Sequence, residues 1–326
     1  MQRGMHHRGR NVVLVFILLL LIVGLAACQS GQQAAPGQSA EEGIDGKPVT
    51  YPLTVQDDSG AKVTVPQAPQ RIVSLMPSHT ETLFALGLEG KVVAVTKWDN
   101  YPPDVQNKVE HVFQDGLNPP TEELLSLKPD LVVLGSHNKE TVDALRKAGL
   151  TVVLYDPQSL RDVYRVIGEL GKITNRTKEA QQLIARMKAK EEAIREKVQA
   201  IPEKERVRVY VEADPDQLYT AGKHTFLDEL IQLAGGQNIA HDLEGWQKIS
   251  AEMVIQRNPQ VIVVTYGYYV PNAADKPKQR AGWSVVDAVK EGRVYALDPD
   301  LISRPGPRIL DGVETLAKTF YPERFQ

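Results

Sequence analysis

Apolar positions along this chain follow two rhythms, and each predicts an element. Around residues 52–65 they alternate, with Leu53, Val55, Val63 and Val65 flanking the polar run Asp57-Asp58-Ser59-Gly60. Alternation around such a turn predicts a β-hairpin. Beyond it, unbroken apolar runs take over at 71–75, 92–95, 131–134 and 152–155. Stretches with helical spacing lie between them at 80–86, 121–127 and 141–147, and Gly87 and Gly90 stop the first. Strands buried on both faces read as unbroken apolar runs, so this half predicts a mostly parallel sheet clad by helices.

The segment 176–199 departs from that rhythm. Leu183, Ile184, Met187, Ala193, Ile194 and Val198 form one apolar stripe among mixed charges, with no Gly or Pro before Pro202. The stripe predicts a single helix on the order of 35 Å long, at a rise of 1.5 Å per residue. Strands and helices then resume, with strands at 207–211, 261–264 and 293–297 and helices at 224–234, 251–256, 285–290 and 308–320. Residues 121–134 (TEELLSLKPDLVVL) match 251–264 (AEMVIQRNPQVIVV) without a gap, so that helix, proline and strand coincide and Glu122 falls on Glu252. His79-Thr80 and His224-Thr225 likewise each open a predicted helix that ends at Gly. Duplication predicts an α/β protein of two similar lobes with mostly parallel sheets, joined by one long rigid helix. The N-terminal lobe would span 51–175, the bridging helix 176–203 and the C-terminal lobe 204–326. Ligands favour the cleft between such lobes, at the C-terminal ends of parallel strands. A single stiff helix without hinge strands predicts little lobe closure.

Formal net charge is −3, with acids and bases mixed along the chain, and no basic stripe marks a nucleic-acid surface. Cys28 is the only cysteine, which excludes an internal disulfide and a thiolate metal site. Arg3, Arg8 and Arg10 precede an aliphatic run at 12–23, closed by Leu25-Ala26-Ala27-Cys28. A basic start, a short apolar run and small residues before a cut site predict a secretory signal. The run is short of the ~20 apolar residues of a membrane span. Leu-Ala-Ala-Cys resembles a bacterial lipobox, in which the cysteine is lipidated and becomes the new N-terminus. Residues 1–28 are then a lipoprotein signal peptide, and 29–50, rich in Gln, Ala, Gly and Ser, a flexible tether. The domain is expected to be extracytoplasmic and lipid-anchored to the cell membrane through Cys28. A signal anchor with an incidental cysteine is the alternative.

Several segments together resemble the iron-chelate and vitamin B12 binding proteins of ABC importers. They are the lipobox, residues 71–87 (RIVSLMPSHTETLFALG) and the paired helix–strand units that begin at Glu122 and Glu252. The likeness runs from about Val63 onward. Residues 96–103 (TKWDNYPP), 124–130 (LLSLKPD), 246–250 (WQKIS) and 300–309 (DLISRPGPRI) are most similar to the cobalamin binders. The resemblance implies two α/β lobes bridged by a helix, the class III arrangement of periplasmic binding proteins. It also implies capture of a corrinoid between the lobes and delivery to an ABC permease. Glu122 and Glu252 would then dock into arginine pockets on the two permease subunits, where a guanidinium grips a carboxylate in bidentate fashion. Glu123 adjoins the first and could substitute for it or assist. An acid in the first helical turn also complements the macrodipole, which explains either residue alone but not their equivalence.

The resemblance to the B12 binders implies a pocket lined by Trp98, Trp246, Asp300 and Arg304. Position in loops after strands adds Tyr101, Tyr266 and Tyr268, since aromatic faces suit a large planar ligand. Trp283 fits either core or cleft. His79 and His224, at predicted helix starts facing the cleft, raise the rival of a haem binder, because a His, Tyr or Met could serve as axial ligand to iron. Hydrogen bonding of the imidazole to the loop backbone at a helix start is the favoured reading of both histidines. A ferric siderophore is a further alternative, for which Arg304, Arg308 and Lys223 would supply charge. No resident cofactor or metal site is expected, since His111 and His137 stand alone and no dense His/Asp/Glu group occurs. No Walker loop, H-E-x-x-H or G-x-S-x-G appears. A binding protein rather than an enzyme is therefore expected, with a secreted hydrolase the remote alternative.

Overall fold

The structure is a computed structural model that describes residues 48–325. The signal segment, Cys28 and most of the tether lie outside the described residues. The first elements are β1 (Leu53–Gln56) and β2 (Lys62–Val65), an antiparallel hairpin in which Leu53 faces Val65.

Five parallel strands follow: β3 (Ile72–Ser74), β4 (Val92–Thr96), β5 (His111–Phe113), β6 (Leu131–Leu134) and β7 (Val152–Leu154). Their order in the sheet is β5-β4-β3-β6-β7, so the chain reverses its direction of travel between β3 and β6. Helices α1 (Pro77–Ala85), α2 (Thr121–Ser126), α3 (Lys139–Lys147) and α4 (Leu160–Ile173) connect or follow these strands. Cladding on both faces is why β4 and β6 are buried at every position. The predicted lobe contains no counterpart of α4, although Leu160, Val163, Val166, Ile167, Leu170 and Ile173 are buried at helical spacing. Gly168 and Gly171 obscure the pattern, yet a Cβ at Gly171 would lie 2.4 Å from the Ala180 Cβ, so glycine there lets two helices meet.

The predicted long helix is α5, Thr177–Gln199, whose buried stripe runs from Ala180 through Leu183, Met187 and Ile194 to Val198. It is clamped from both sides. Tyr164 of α4 donates to Glu191 at 2.7 Å, and Lys190 pairs with Asp311 and Glu314 at 2.5 and 2.7 Å. One apolar cluster is continuous from Val55 past Leu170, Met187 and Val209 to Leu316, so α5 is packed into a shared core.

The second half contains β8 (Arg208–Glu212), β9 (Tyr219–Ala221), β10 (Gln237–Asn238), β11 (Trp246–Lys248), β12 (Val261–Val264) and β13 (Val294–Ala296). Four of them form a parallel sheet in the order β10-β8-β12-β13, and β9 pairs antiparallel with β11. The helices are α6 (Phe226–Leu233), α7 (Ala251–Arg257), α8 (Asp275–Gln279), α9 (Asp287–Lys290), α10 (Pro299–Ser303) and α11 (Ile309–Phe320). The repeat read from sequence reappears as α2–β6 and α7–β12, with Glu122 and Glu252 each second in its helix. The histidine match does not survive. His79 is third in α1, whereas His224 lies outside α6 in a left-handed turn (φ 63°) before the N-cap Thr225.

Candidate functional site

Both parallel sheets direct their C-terminal strand ends into one cavity of about 910 Å³. The first sheet contributes Leu75 to Ser78 after β3, Thr96, Lys97, Trp98 and Asn100 at the end of β4 and beyond, and Gln114 to Leu117 after β5. The second contributes Ala213 after β8, Thr265, Tyr268 and Tyr269 after β12, and a group from Pro299 to Pro305 after β13. Carboxyl ends beside a reversal of strand order are where open α/β sheets place ligands. The volume lies at the upper end of the ~300–1,000 Å³ that encloses a drug-sized molecule.

Each wall is held by its own loop chemistry. Asp99 is buried, and its Oδ2 accepts from the Thr96 amide at 2.8 Å and the Thr96 hydroxyl at 2.6 Å. Burial pushes that carboxyl above its ordinary pKa, against the bonds from Thr80 and Thr96. Gln106 donates to the carbonyls of Lys97 and Asp99, at 3.0 and 2.7 Å. The turn so fixed presents Trp98 outward, 57% exposed, with the Lys97 ammonium 5.1 Å from its ring. Opposite it, Tyr268 and Tyr269 are exposed and meet edge to face at 4.8 Å. Exposed aromatics gathered at one concavity mark a ligand surface. The helix α10 brings Asp300 to the rim, and α11 packs against it so closely that a Cβ at Gly312 would lie 2.0 Å from the Leu301 carbonyl. Arg304 bonds Asp300 at 2.9 Å, Asn100 Oδ1 at 2.6 Å and the Trp98 carbonyl at 3.0 Å. Asn100 donates in turn to Asp300 at 2.7 Å.

Trp98, Tyr268, Asp300 and Arg304 thus share one cavity, and five other sequence candidates do not line it. Tyr266 is fully buried and donates to Glu212 at 2.7 Å. Tyr101 is exposed outside the lining, its ring 3.9 Å from the Arg308 guanidinium. Trp246 is exposed on β11, opposite Ala221. His224 bonds Glu244 at 2.6 Å and borders a separate cavity of about 660 Å³ beside α5 and α6. His79 is 1% exposed, with Nε2 2.7 Å from the Tyr155 carbonyl, so it is not placed to ligate anything in the cleft. Trp283 belongs to the core. Asn100 and the loop after β5 escape a reading of apolar runs. Asn100 could have been found as a polar neighbour of Trp98 in the same post-strand loop. Among the described residues, no group of three or more His, Cys, Asp or Glu could hold a metal ion.

Burial holds the His79 imidazole below its ordinary pKa of 6.5. The unfolded chain therefore takes up a proton first as pH falls. Stability from this group is complete above pH 6.5 and declines below it, by up to about 1.4 kcal/mol per pH unit. His79→Gln, which keeps a donor for Tyr155 without titrating, is expected to flatten that part of the melting-temperature profile. Identical acid profiles for the two proteins would refute the assignment.

The sequence pattern of periplasmic binding proteins matches residues 72–301. This chain belongs to that family. It is 40% identical over 315 residues to YvrC, an uncharacterized ABC transporter substrate-binding lipoprotein of Bacillus subtilis (strain 168), covering 95% of this chain and 96% of that one. It is 31% identical over 261 residues to the vitamin B12-binding protein of Yersinia pestis (strain Pestoides F), covering 78% and 88%. The periplasmic heme-binding protein RhuT from Roseiflexus sp. RS-1 superposes with a TM-score of 0.67 at 27% identity, over 79% of this chain and 99% of that one. As in the solved periplasmic binding proteins it resembles, two α/β units with parallel sheets flank one long helix, the class III arrangement.

Proposed function

We propose that this periplasmic binding protein captures a corrinoid in the cavity between its two sheets and delivers it to an ABC importer. The coarser part follows from family membership: it is a solute-binding protein of an ABC transporter, and its relatives are binders rather than enzymes. One observation carries the choice of ligand, the charge balance of the cavity. Lys97 and Arg304 face Asp115 and Asp300, and Arg304 is already engaged by Asp300 and Asn100. Such a lining suits a bulky ligand rimmed with amides, such as a corrin, better than a strongly anionic iron chelate. Trp98 and Tyr268 supply broad apolar faces. The family relationship supports a domain outside the cytoplasm; in this reading Cys28 is its lipid anchor, and Glu122 and Glu252 are its contacts to the permease. Haem is the competing ligand, supported by the likeness to RhuT and by Met76 and the two tyrosines on the lining.

Titration of the purified protein with cyanocobalamin, haemin and a ferric siderophore, read by tryptophan fluorescence, separates these ligands. Cyanocobalamin is expected to bind, and Trp98→Ala to weaken it about 30-fold, the ~2 kcal/mol of a buried aromatic anchor. Saturable binding of haemin with none of cyanocobalamin would overturn the corrinoid reading.

A further inference from the structure

We infer that Glu81 is a positioning residue of the binding cleft, a buried carboxylate in one lobe that holds the ligand-facing arginine segment of the other. The inference rests on the cavity being the ligand site. Glu81 lies in α1, where every residue from Ser78 to Phe84 is buried, and its side chain is 2% exposed. A carboxylate so placed must be matched by a cation. Its partners come from the far end of the chain. Arg308 donates from Nε to Oε2 at 2.8 Å and from Nη2 to Oε1 at 2.7 Å, a bidentate pair across 227 residues of sequence. Arg304 Nη1 approaches Oε1 at 3.4 Å, across 223 residues.

From Glu81 the network reaches both cavity walls. Arg304 continues to Asn100, the Trp98 carbonyl and Asp300, and Arg308 supports the Tyr101 ring. The two acids and two arginines balance, and the loop that carries Trp98 is thereby fixed to the segment that carries Asp300. Other buried carboxylates behave differently. Asp57 pairs with Arg146, Glu212 with Arg280 and Asp228 with His241, each within its own half of the chain. Glu81 spans the halves, so its loss releases one wall from the other instead of loosening one fold. Parting of the walls would also expose all four charges to water, which gives the contact two distinct states, made and broken.

The test uses the full chain in detergent. Amide exchange is followed by mass spectrometry without ligand, and cyanocobalamin release is timed in the same samples. Glu81→Gln keeps the shape and removes the charge. It is expected to raise exchange about tenfold in residues 96–104 and 299–308 while β6 and β12 stay protected, and to speed cyanocobalamin release about tenfold at unchanged binding stoichiometry. Arg308→Gln breaks the same bond from the other side. The double variant is expected to be no worse than either single one, because both remove one interaction. Unchanged exchange in the two segments overturns the inference, as does a fall in stoichiometry with unaltered release, which marks simple misfolding. The exchange measurement needs no ligand. If cyanocobalamin fails to bind the unmodified protein, the corrinoid reading falls while Glu81 is still tested.

Discussion

The variant carrying Glu122→Ala and Glu252→Ala is expected to bind its ligand with unchanged affinity and to lose stimulation of its ABC permease. Both residues are exposed, and each is second in a short helix that leads into a central strand. Among the described residues neither forms an ion pair across the surface. Glu252 bonds only its own helix start, where the Ser250 hydroxyl and its own backbone amide hold its carboxyl below the ordinary range. It is charged at every physiological pH and free to face outward. Exposed acids with no ion-pair partner, repeated at equivalent places in two halves, suit a partner that also has two halves.

The expected size follows from what such a contact excludes. An Arg–carboxylate pair sealed in an interface costs ~2–5 kcal/mol when one side is truncated. Two pairs at the low end remove about 4 kcal/mol together, roughly a thousandfold in docking affinity. Each single variant should lose about thirtyfold, since sites far apart on one surface act additively. Fold stability should fall by no more than the ~0.3–1 kcal/mol that an acid at a helix start contributes. Glu123→Ala is the comparison, because Glu123 adjoins Glu122 but has no equivalent acid in the second half, where Met253 stands. ATP hydrolysis by the permease in lipid nanodiscs reports docking, and a separate titration reports ligand binding. Wild-type stimulation by the double variant would remove these residues from the interface.

How much of this is legible without a structure depends on how local the physics is. The units α2–β6 and α7–β12 are legible because one spacing is used twice and each ends in a solid apolar run. The helix α4 is obscured by two glycines, and β10 and β11 carry no apolar run, being Gln-Asn and Trp-Gln-Lys. Site residues divide along the same line. Trp98, Asp300 and Arg304 follow strands in polar segments, Asp300 within the short helix α10, and they line the cavity. Tyr266 follows a strand too, but its side chain turns inward to Glu212, and no rule of sequence position separates inward from outward. His79 fails for a related reason: Pro77 and Ser78 at the start of α1 line the cavity, but the His79 ring turns inward to the Tyr155 carbonyl. Glu81 carries a signal, an acid in a helix just before the apolar pair Leu83-Phe84. Nothing in the sequence ties it to its partners Arg304 and Arg308, more than two hundred residues away.

Glu212→Ala is expected to be the most destabilising single change in the second lobe. Glu212 ends β8 with no exposed side-chain surface, and Arg280 grips it at 2.6 and 3.0 Å while Tyr266 donates at 2.7 Å. Arg280 also bonds the Pro215 carbonyl at 2.8 Å, and its guanidinium lies 4.4 Å from the ring of the buried Trp283. Truncation strands the guanidinium and the tyrosine hydroxyl among apolar neighbours. Breaking a buried pair from one side costs ~3–5 kcal/mol. At about 2–4 °C per kcal/mol for a domain near this size, the melting temperature should drop by roughly 6–20 °C. Replacing both partners by apolar groups removes the stranded charge, so Glu212→Leu with Arg280→Met should recover most of that loss. Ligand binding should not recover with it. The Tyr266 hydroxyl still lacks its acceptor, and Tyr268 and Tyr269, which follow it in the same loop, lose their fixed placement on the cavity wall. A calorimetric scan and a cyanocobalamin titration of the three proteins test both halves of this expectation. If the double variant recovered full affinity together with stability, Glu212 would be a core residue only, with no part in shaping the site.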